Sequence, residues 1–272
     1  MLSLARHGKL MSTIKADSGR PKGVLFYSII AGMCATAGLT TLRHEDHTFS
    51  LTFLYAAALF IFSCISLYVL RTEITKGRGR WSQGGNSKVV LVTTSALSGW
   101  EFGLMLLFSL SIVVGIILFP FESQKTWRPP ALLIIVGAYS LLHLIPILKA
   151  GGPTRRRIAL SKDAVELTRI DGHTDTIPWK AHPILIGIRQ GYAIIILESH
   201  YGLRYPMSYL PMSMRQFERL LNTFSTDGRL RAKLSGPEAL STVLAVLEPT
   251  EEERTDGSWT WYSSRTAAKD LQ

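Results

Sequence analysis

The chain has 272 residues, of which 47% are hydrophobic and 18% are charged, and its formal net charge is +10. Soluble globular domains usually have about 25% charged residues, so this composition favours a membrane protein. Most of the positive surplus lies before residue 150. It indicates membrane orientation and contact with anionic lipid rather than nucleic-acid binding, because no basic and aromatic residues cluster on one face.

The N-terminal 1–23 segment is polar and basic and has no periodic apolar face, so we expect a cytoplasmic tail without regular structure. The first predicted membrane span covers 24–42. An uncleaved helix is favoured over a signal peptide, because the basic region before it is long and three more spans follow. Its small residues allow close approach of another helix, within the chain or in a homo-oligomer. These are Ala31, Gly32, Ala35 and Gly38.

The second predicted span covers 49–70 and the third covers 102–121. We expect the basic stretch between them, 71–100, to be a cytoplasmic loop, with a short strand near 89–94. The loop contains GRGRW, in which Arg78 and Arg80 are placed to meet lipid phosphates. Trp81, at the end of this motif, is predicted to lie in the membrane interface.

The fourth predicted span covers 131–148. About 20 apolar residues at about 1.5 Å each cross a hydrocarbon core of about 30 Å. Arg155, Arg156 and Arg157 follow the span and are candidates for the membrane surface; the alternative is that they only fix topology. The tail, the 71–100 loop and the region after 149 are all basic. The positive-inside rule therefore predicts a multi-pass protein of the cell membrane with both termini in the cytoplasm.

After residue 150 the apolar residues alternate with polar ones, which predicts short antiparallel strands. Ser213 is a plausible N-cap for an amphipathic helix over 213–224. We therefore predict an α + β membrane protein: four transmembrane helices over 24–149, then a small antiparallel β domain over 150–225 capped by one helix. The remainder, 226–272, is predicted to be a tail with a short amphipathic helix near 237–248.

The segment 156–225 resembles the YcxB-like C-terminal domain, a bacterial module related to pleckstrin-homology (PH) domains. The resemblance rests on RIALSKDAVEL, on IPW ending at Trp179, on ILIGIRQGYAIIIL, and on YPMSYLP followed by the helix around Phe217. It implies a PH-like fold next to transmembrane helices and implies no activity. Members often have two helices before the domain, and this chain has four.

The sequence contains no motif for catalysis, and we expect no cofactor and no metal site. Trp179 has two interpretations: a core residue packed against the closing helix, or an exposed ligand anchor. His143, inside the fourth span, is either functional or a neutral histidine bonded to a neighbouring helix. The favoured function is an interaction, scaffold or regulatory role, with a protein partner or anionic lipid headgroups. The alternative is a small transporter or membrane enzyme that uses the helix bundle around His143.

Overall fold

The computed structural model describes residues 10–42, 47–85, 88–118, 128–189, 192–197, 202–207 and 209–255. They form two compact units, which we call the helical unit and the β unit. The helical unit lies within Arg20–Val69 and Ser95–Thr154, and the β unit lies within Met1–Gly19, Leu70–Thr94 and Arg155–Gln272. The β unit is therefore assembled from three separate stretches of chain.

Four helices are long and apolar enough to cross a membrane, which confirms the predicted number. They are α1 (Thr13–Thr41), α2 (His47–Thr75), α3 (Ser95–Leu118) and α4 (Arg128–Lys149). α1 begins at Thr13 and α3 at Ser95, earlier than the predicted 24 and 102. Residues 13–23 are thus helical where the sequence predicted an unstructured tail. The end of the predicted third span, 119–121, lies outside the described residues.

Glycines bring neighbouring helices of the helical unit into close contact. A Cβ atom on Gly137 of α4 would lie 2.6 Å from the backbone nitrogen of Ile112 in α3. A Cβ atom on Gly38 of α1 would lie 2.9 Å from Cγ of Leu54 in α2. Ser50 Oγ of α2 donates a hydrogen bond to the Gly38 carbonyl at 2.6 Å. These small residues therefore serve packing within the chain, where a larger side chain would separate the helices.

Antiparallel strands form two sheets in the β unit, in agreement with the predicted α + β class. The first sheet has the order β1 (Trp81–Gly84), β2 (Lys88–Val92), β3 (Arg157–Leu160), β4 (Ala164–Thr168) and β5 (Thr174–Pro178). The second has the order β6 (Ile184–Arg189), β7 (Tyr192–Ile196) and β8 (Gly202–Pro206). Strands β3 to β8 lie where the alternating sequence pattern predicts them.

The β1–β2 hairpin differs from the loop predicted over 71–100. β2 overlaps the predicted short strand, 89–94, and ends at Val92. It pairs with β3, with Val89 opposite Leu160 and Leu91 opposite Ile158. All four side chains are 0% exposed. Apolar residues alternate along β2, so one face of this strand is apolar and is stable only when buried. Pairing with the edge of β3 buries that face in the core.

Helices close the β unit: α5 (Met214–Thr226), α6 (Gly228–Lys233), α7 (Ala239–Leu247) and α8 (Glu251–Thr255). α5 is the predicted capping helix. Ser213 Oγ accepts a hydrogen bond from the Gln216 backbone N–H at 3.0 Å, and Gln216 Oε1 accepts one from Ser213 N–H at 2.9 Å. This reciprocal arrangement is a capping box, and it fixes where α5 begins.

α7 belongs to the core, although the sequence placed it in a tail. It packs against α5, β1 and β2, and Ala239, Val243 and Leu247 are all 0% exposed. These residues recur every four positions, so they lie on one side of the helix and are buried together. The rest of the predicted tail, 256–272, lies outside the described residues.

Candidate functional site

The basic residues of the GRGRW motif are paired with carboxylates. Arg78 Nη2 lies 2.6 Å from Glu248 Oε1, and Arg80 Nη2 lies 2.8 Å from Glu73 Oε2. Pairs this exposed to solvent contribute little to stability. They do reduce the positive charge that an anionic headgroup would meet at this point.

The three consecutive arginines have three different environments. Arg155 is exposed and has no ion pair or hydrogen bond among the described residues. Arg156 is 4% exposed and its Nη1 donates to the Pro206 carbonyl at 3.0 Å. Arg157 Nε donates to Thr168 Oγ1 of β4 at 3.0 Å. The prediction that Arg156 lies at the membrane surface is therefore wrong, because a buried guanidinium needs hydrogen-bond acceptors inside the fold and finds one on β8.

Both tryptophans singled out by the sequence are core residues. Trp81 is 5% exposed and belongs to the hydrophobic core, so its predicted place in the membrane interface is wrong. The reason is that Trp81 is the first residue of β1, which turns its indole inward. Trp179 is 2% exposed. Its Nε1–H donates to the Ser161 carbonyl at 2.8 Å, and its ring centroid lies 5.9 Å from that of Phe224 in α5. Trp179 is therefore a core residue packed against the closing helix and not an exposed ligand anchor.

Among the ionisable residues of the helical unit, His143 and Glu101 have opposite environments. His143 is exposed on α4, with its ring 4.8 Å from that of Tyr139 in an edge-to-face arrangement. Glu101 of α3 is only 2% exposed. The sequence interpretation missed Glu101 because the third span was predicted to begin at residue 102. The available signal was that Glu101 stands between two aromatic residues, Trp100 and Phe102.

A short N-terminal segment, 10–17, lies on the β unit; we call it the strap. Met11 N–H donates to the Ile188 carbonyl at 2.9 Å, and Ile188 N–H donates to the Met11 carbonyl at 2.8 Å. This reciprocal pair is an antiparallel bridge on the edge of β6. Gly187 permits the close approach, because a Cβ atom there would lie 3.1 Å from the Met11 carbonyl oxygen. The strap thus uses β6 as an edge for backbone pairing.

The strap also caps α5. Asp17 Oδ1 accepts a hydrogen bond from Met214 N–H at 3.0 Å, and Asp17 Oδ2 accepts one from Arg215 N–H at 3.1 Å. Thr13 Oγ1 donates to Glu218 Oε2 at 2.6 Å. A carboxylate at a helix N-terminus satisfies free N–H groups and complements the helix dipole. These contacts explain why the chain is already ordered as a helix at Thr13.

The exposed large apolar side chains of the β unit fall on neighbouring elements. Among the described residues they fall only on the strap, β6 and the start of β7, and are between 38% and 61% exposed. We call this set the β6 surface: Leu10, Met11, Ile14, Ile184, Ile186 and Tyr192. Exposed apolar residues grouped on neighbouring elements are typical of interaction sites.

The C-terminal end of the described chain is held on α5 by charge. Glu253 Oε1 lies 2.6 Å from Arg219 Nη2 and 3.1 Å from Arg215 Nη2, and Glu253 Oε2 accepts a hydrogen bond from Thr250 N–H at 2.8 Å. Burial alone would raise the pKa of Glu253. The hydrogen bonds from Arg219 and Thr250 and the charges of both arginines outweigh it, so the pKa lies below its usual value.

Within the described ranges no group of three or more histidine, cysteine, aspartate or glutamate side chains is placed to hold a metal ion. Comparisons of the chain with protein-family models, with curated proteins and with solved structures find no match.

Proposed function

We propose that the chain is an integral protein of the cell membrane, with both termini in the cytoplasm and a cytoplasmic β domain that works as a binding module. The pairing of β2 with β3 supports this topology. β2 precedes α3 and β3 follows α4, so the strands meet only if α3 and α4 together return the chain to the side it left. Met11 precedes α1 and pairs with Ile188 of β6, so α1 and α2 together must also return the chain to the side on which it began.

The basic residues favour the cytoplasmic side. Arg71 and Lys76 lie at the end of α2, and Lys149 and Arg155 follow the apolar part of α4; all four side chains are exposed. Cations at these positions match the excess found in cytoplasmic segments of membrane proteins. They also provide attraction to anionic lipid, worth about 1 kcal/mol for each residue near the surface.

For the β domain we propose a PH-like fold of the YcxB-like type. In support, the contiguous segment β3 to β8 followed by α5 has the order of short antiparallel strands and one closing helix that the resemblance implies. The β1–β2 hairpin and the strap are additions from elsewhere in the chain. We propose a scaffold or regulatory role, because the β unit is assembled from three separate stretches of the chain, each adjoining a candidate span.

The β6 surface is the observation that carries the binding role. Ile184 and Ile186 are 53% and 40% exposed on an edge strand. Within the described part of the chain only the Met11 bridge pairs with the outer edge of β6. An unpaired edge with apolar side chains is suited to an extended protein segment, which gains backbone hydrogen bonds and side-chain burial together. We therefore propose a protein partner that adds a strand beside Ile184 and Ile186.

Photo-crosslinking tests this binding role in the full-length protein in native membranes. A photoreactive amino acid at position 184 or 186 is compared with one at Thr176, which is exposed on β5. We expect one protein, identified by mass spectrometry, to crosslink at 184 and 186 but not at 176. Its reciprocal purification should lose this chain on Ile186→Asp and keep it on Thr176→Asp. Crosslinks at 184 and 186 to lipid alone would contradict the protein partner and would indicate that this surface contacts the membrane.

Glu101 favours a second function, a small transporter or membrane enzyme. A buried carboxylate in a membrane helix is costly and is commonly functional. The structure favours Glu101 over His143 for such a role, because Glu101 is buried in the helical unit whereas His143 is exposed. Proton uptake by reconstituted vesicles, lost on Glu101→Gln, would support this function; equal uptake with and without the protein would exclude proton transport.

A further inference from the structure

α4 has two faces of different character. One face packs against α3 and includes Leu133, Leu144 and Ile147, each 7% exposed or less. The opposite face is exposed from Leu132 to Pro146. Its residues recur at intervals of three and four: Leu132, Ile135, Tyr139, Leu142 and Pro146. This is the heptad spacing of a left-handed helix pair. We call these five residues the α4 seam.

Two polar side chains lie on or beside the seam, together with a backbone carbonyl that lacks its usual helical donor. The Tyr139 hydroxyl and the His143 ring nitrogens make no hydrogen bond to any described residue. Pro146 lies inside the helix and has no N–H, so the Leu142 carbonyl receives no hydrogen bond from the position four residues later. The seam therefore offers the Tyr139 hydroxyl as a donor, and the His143 ring and the Leu142 carbonyl as hydrogen-bonding groups beside it.

The Tyr139 hydroxyl lies too deep to reach water. Tyr139 is nine residues after Pro130 and ten before Lys149, which bound the candidate span. At about 1.5 Å per residue, its Cα lies about 14 to 15 Å from either end of that span, close to the middle of a hydrocarbon core of about 30 Å. Polar groups at that depth need hydrogen-bond partners, which lipid tails cannot supply.

We propose that a second copy of this chain packs against the α4 seam, with Tyr139 and His143 at the centre of the interface. The inference rests on the membrane-spanning part of the proposed function. Two copies inserted in the same direction are related by a two-fold axis along the membrane normal, so each donor of one copy meets acceptors of the other. Lipid tails cannot hydrogen-bond to these polar groups. In a symmetric dimer, one arrangement gives the polar groups of both copies a hydrogen-bond partner.

The heptad spacing defines the geometry of the interface. From Leu132 to Pro146 the seam spans fourteen residues, or about 21 Å at about 1.5 Å each. Knobs-into-holes packing of two parallel α4 helices crosses them at about +20°. Leu132, Ile135 and Leu142 then fill the apolar layers above and below Tyr139.

Disulfide crosslinking in native membranes tests the dimer. The two native cysteines are replaced (Cys34→Ala, Cys64→Ala), and single cysteines are introduced at Ile135 or Leu142. Leu110→Cys is the matched control, because Leu110 is 45% exposed on α3 and lies at a similar depth to Tyr139. With a mild oxidant we expect covalent dimers from the seam positions and none from Leu110. Equal crosslinking at all three positions, or none at the seam, would overturn the proposal.

Subunit affinity gives a second readout. Tyr139→Phe with His143→Phe removes the polar groups and keeps the aromatic bulk. We expect the dimer dissociation constant in bilayers, measured by energy transfer between labelled copies, to rise about three- to tenfold. Leu110→Phe should leave it unchanged. If the double variant dimerises as tightly as the parent, the polar groups are not at the interface and the proposal fails.

Extraction of membranes with alkaline carbonate separates the failure of this proposal from the failure of the proposed function. A chain that resists extraction from membranes by alkaline carbonate but gives no seam crosslink overturns the dimer and leaves the membrane topology standing. A chain that carbonate extracts overturns the topology itself. Crosslinking of the seam to a different membrane protein overturns the choice of a second copy as the occupant.

Discussion

Asp17 and Arg215 bring the first and the last described segments of the chain to one helix. The Asp17 carboxylate accepts a hydrogen bond from the Arg215 backbone N–H at 3.1 Å, and the Arg215 guanidinium lies 3.1 Å from the Glu253 carboxylate. α5 therefore receives the N-terminal strap through its backbone and the C-terminal segment through its side chains. α1 begins within the strap, so the same segment that caps α5 also forms the first residues of α1.

Asp17→Ala should destabilise the β unit. The change removes a cap from α5, and loss of a side-chain cap costs about 0.5–2 kcal/mol. Denaturant unfolding of the full-length protein in detergent, followed by near-ultraviolet circular dichroism, measures it. Glu238→Ala is the control, because Glu238 precedes α7 and makes no side-chain cap hydrogen bond. Equal losses in both variants would mean that the Asp17 cap contributes nothing specific.

Acid should release the C-terminal segment from α5. The pKa of Glu253 is lowered in the folded protein, so its ionisation stabilises the fold above the unfolded-state value of about 4.3. That stability is lost as the pH falls through the lower folded-state pKa. The protection factors of residues 248–254 in hydrogen exchange, which correct for the slower intrinsic exchange in acid, should therefore fall below about pH 4.3.

Glu253→Gln should lower the hydrogen-exchange protection of residues 248–254 at neutral pH and remove the dependence of that protection on acid. Glu252→Gln is the matched control, since the Glu252 side chain is exposed. An acid response unchanged in Glu253→Gln would assign the titration to another group.

Gly137→Ala should loosen the contact between α3 and α4. The added Cβ would lie 2.6 Å from the Ile112 backbone nitrogen, so the helices must separate. Overpacking of this kind costs about 1–3 kcal/mol. Gly32→Ala is the control, because a Cβ atom there meets no atom within 4 Å. Thermal unfolding in detergent should show a lower midpoint for Gly137→Ala only; equal midpoints would contradict the close packing.

Cysteine labelling tests the topology. On a background without native cysteines, Lys180→Cys on the β unit should be protected from an impermeant reagent in intact cells and react after the cells are opened. Asp46→Cys, between the first two spans in sequence, should react in intact cells. Labelling of position 180 from outside would reverse the proposed orientation.

The sequence by itself determined the local elements. Long apolar runs predicted four membrane-competent helices, and alternation predicted β3 to β8 and the amphipathic α5. These signals are local, because a helix or strand that buries one face shows its period in consecutive residues. Ser213 marked the start of α5 for the same reason: its capping partner, Gln216, is three residues away.

Only the tertiary structure decided which distant segments meet. The pairing of β2 with β3, the bridge between Met11 and Ile188, and the burial of Trp81 and Arg156 all join residues far apart in the chain. GRGRW carries the composition of a membrane-surface motif, yet its tryptophan is in the core because β1 finds a place beside β2 and α7. Whether an amphipathic side chain faces lipid or the core depends on which element packs over it. The spacing of apolar residues along the chain does not identify that element.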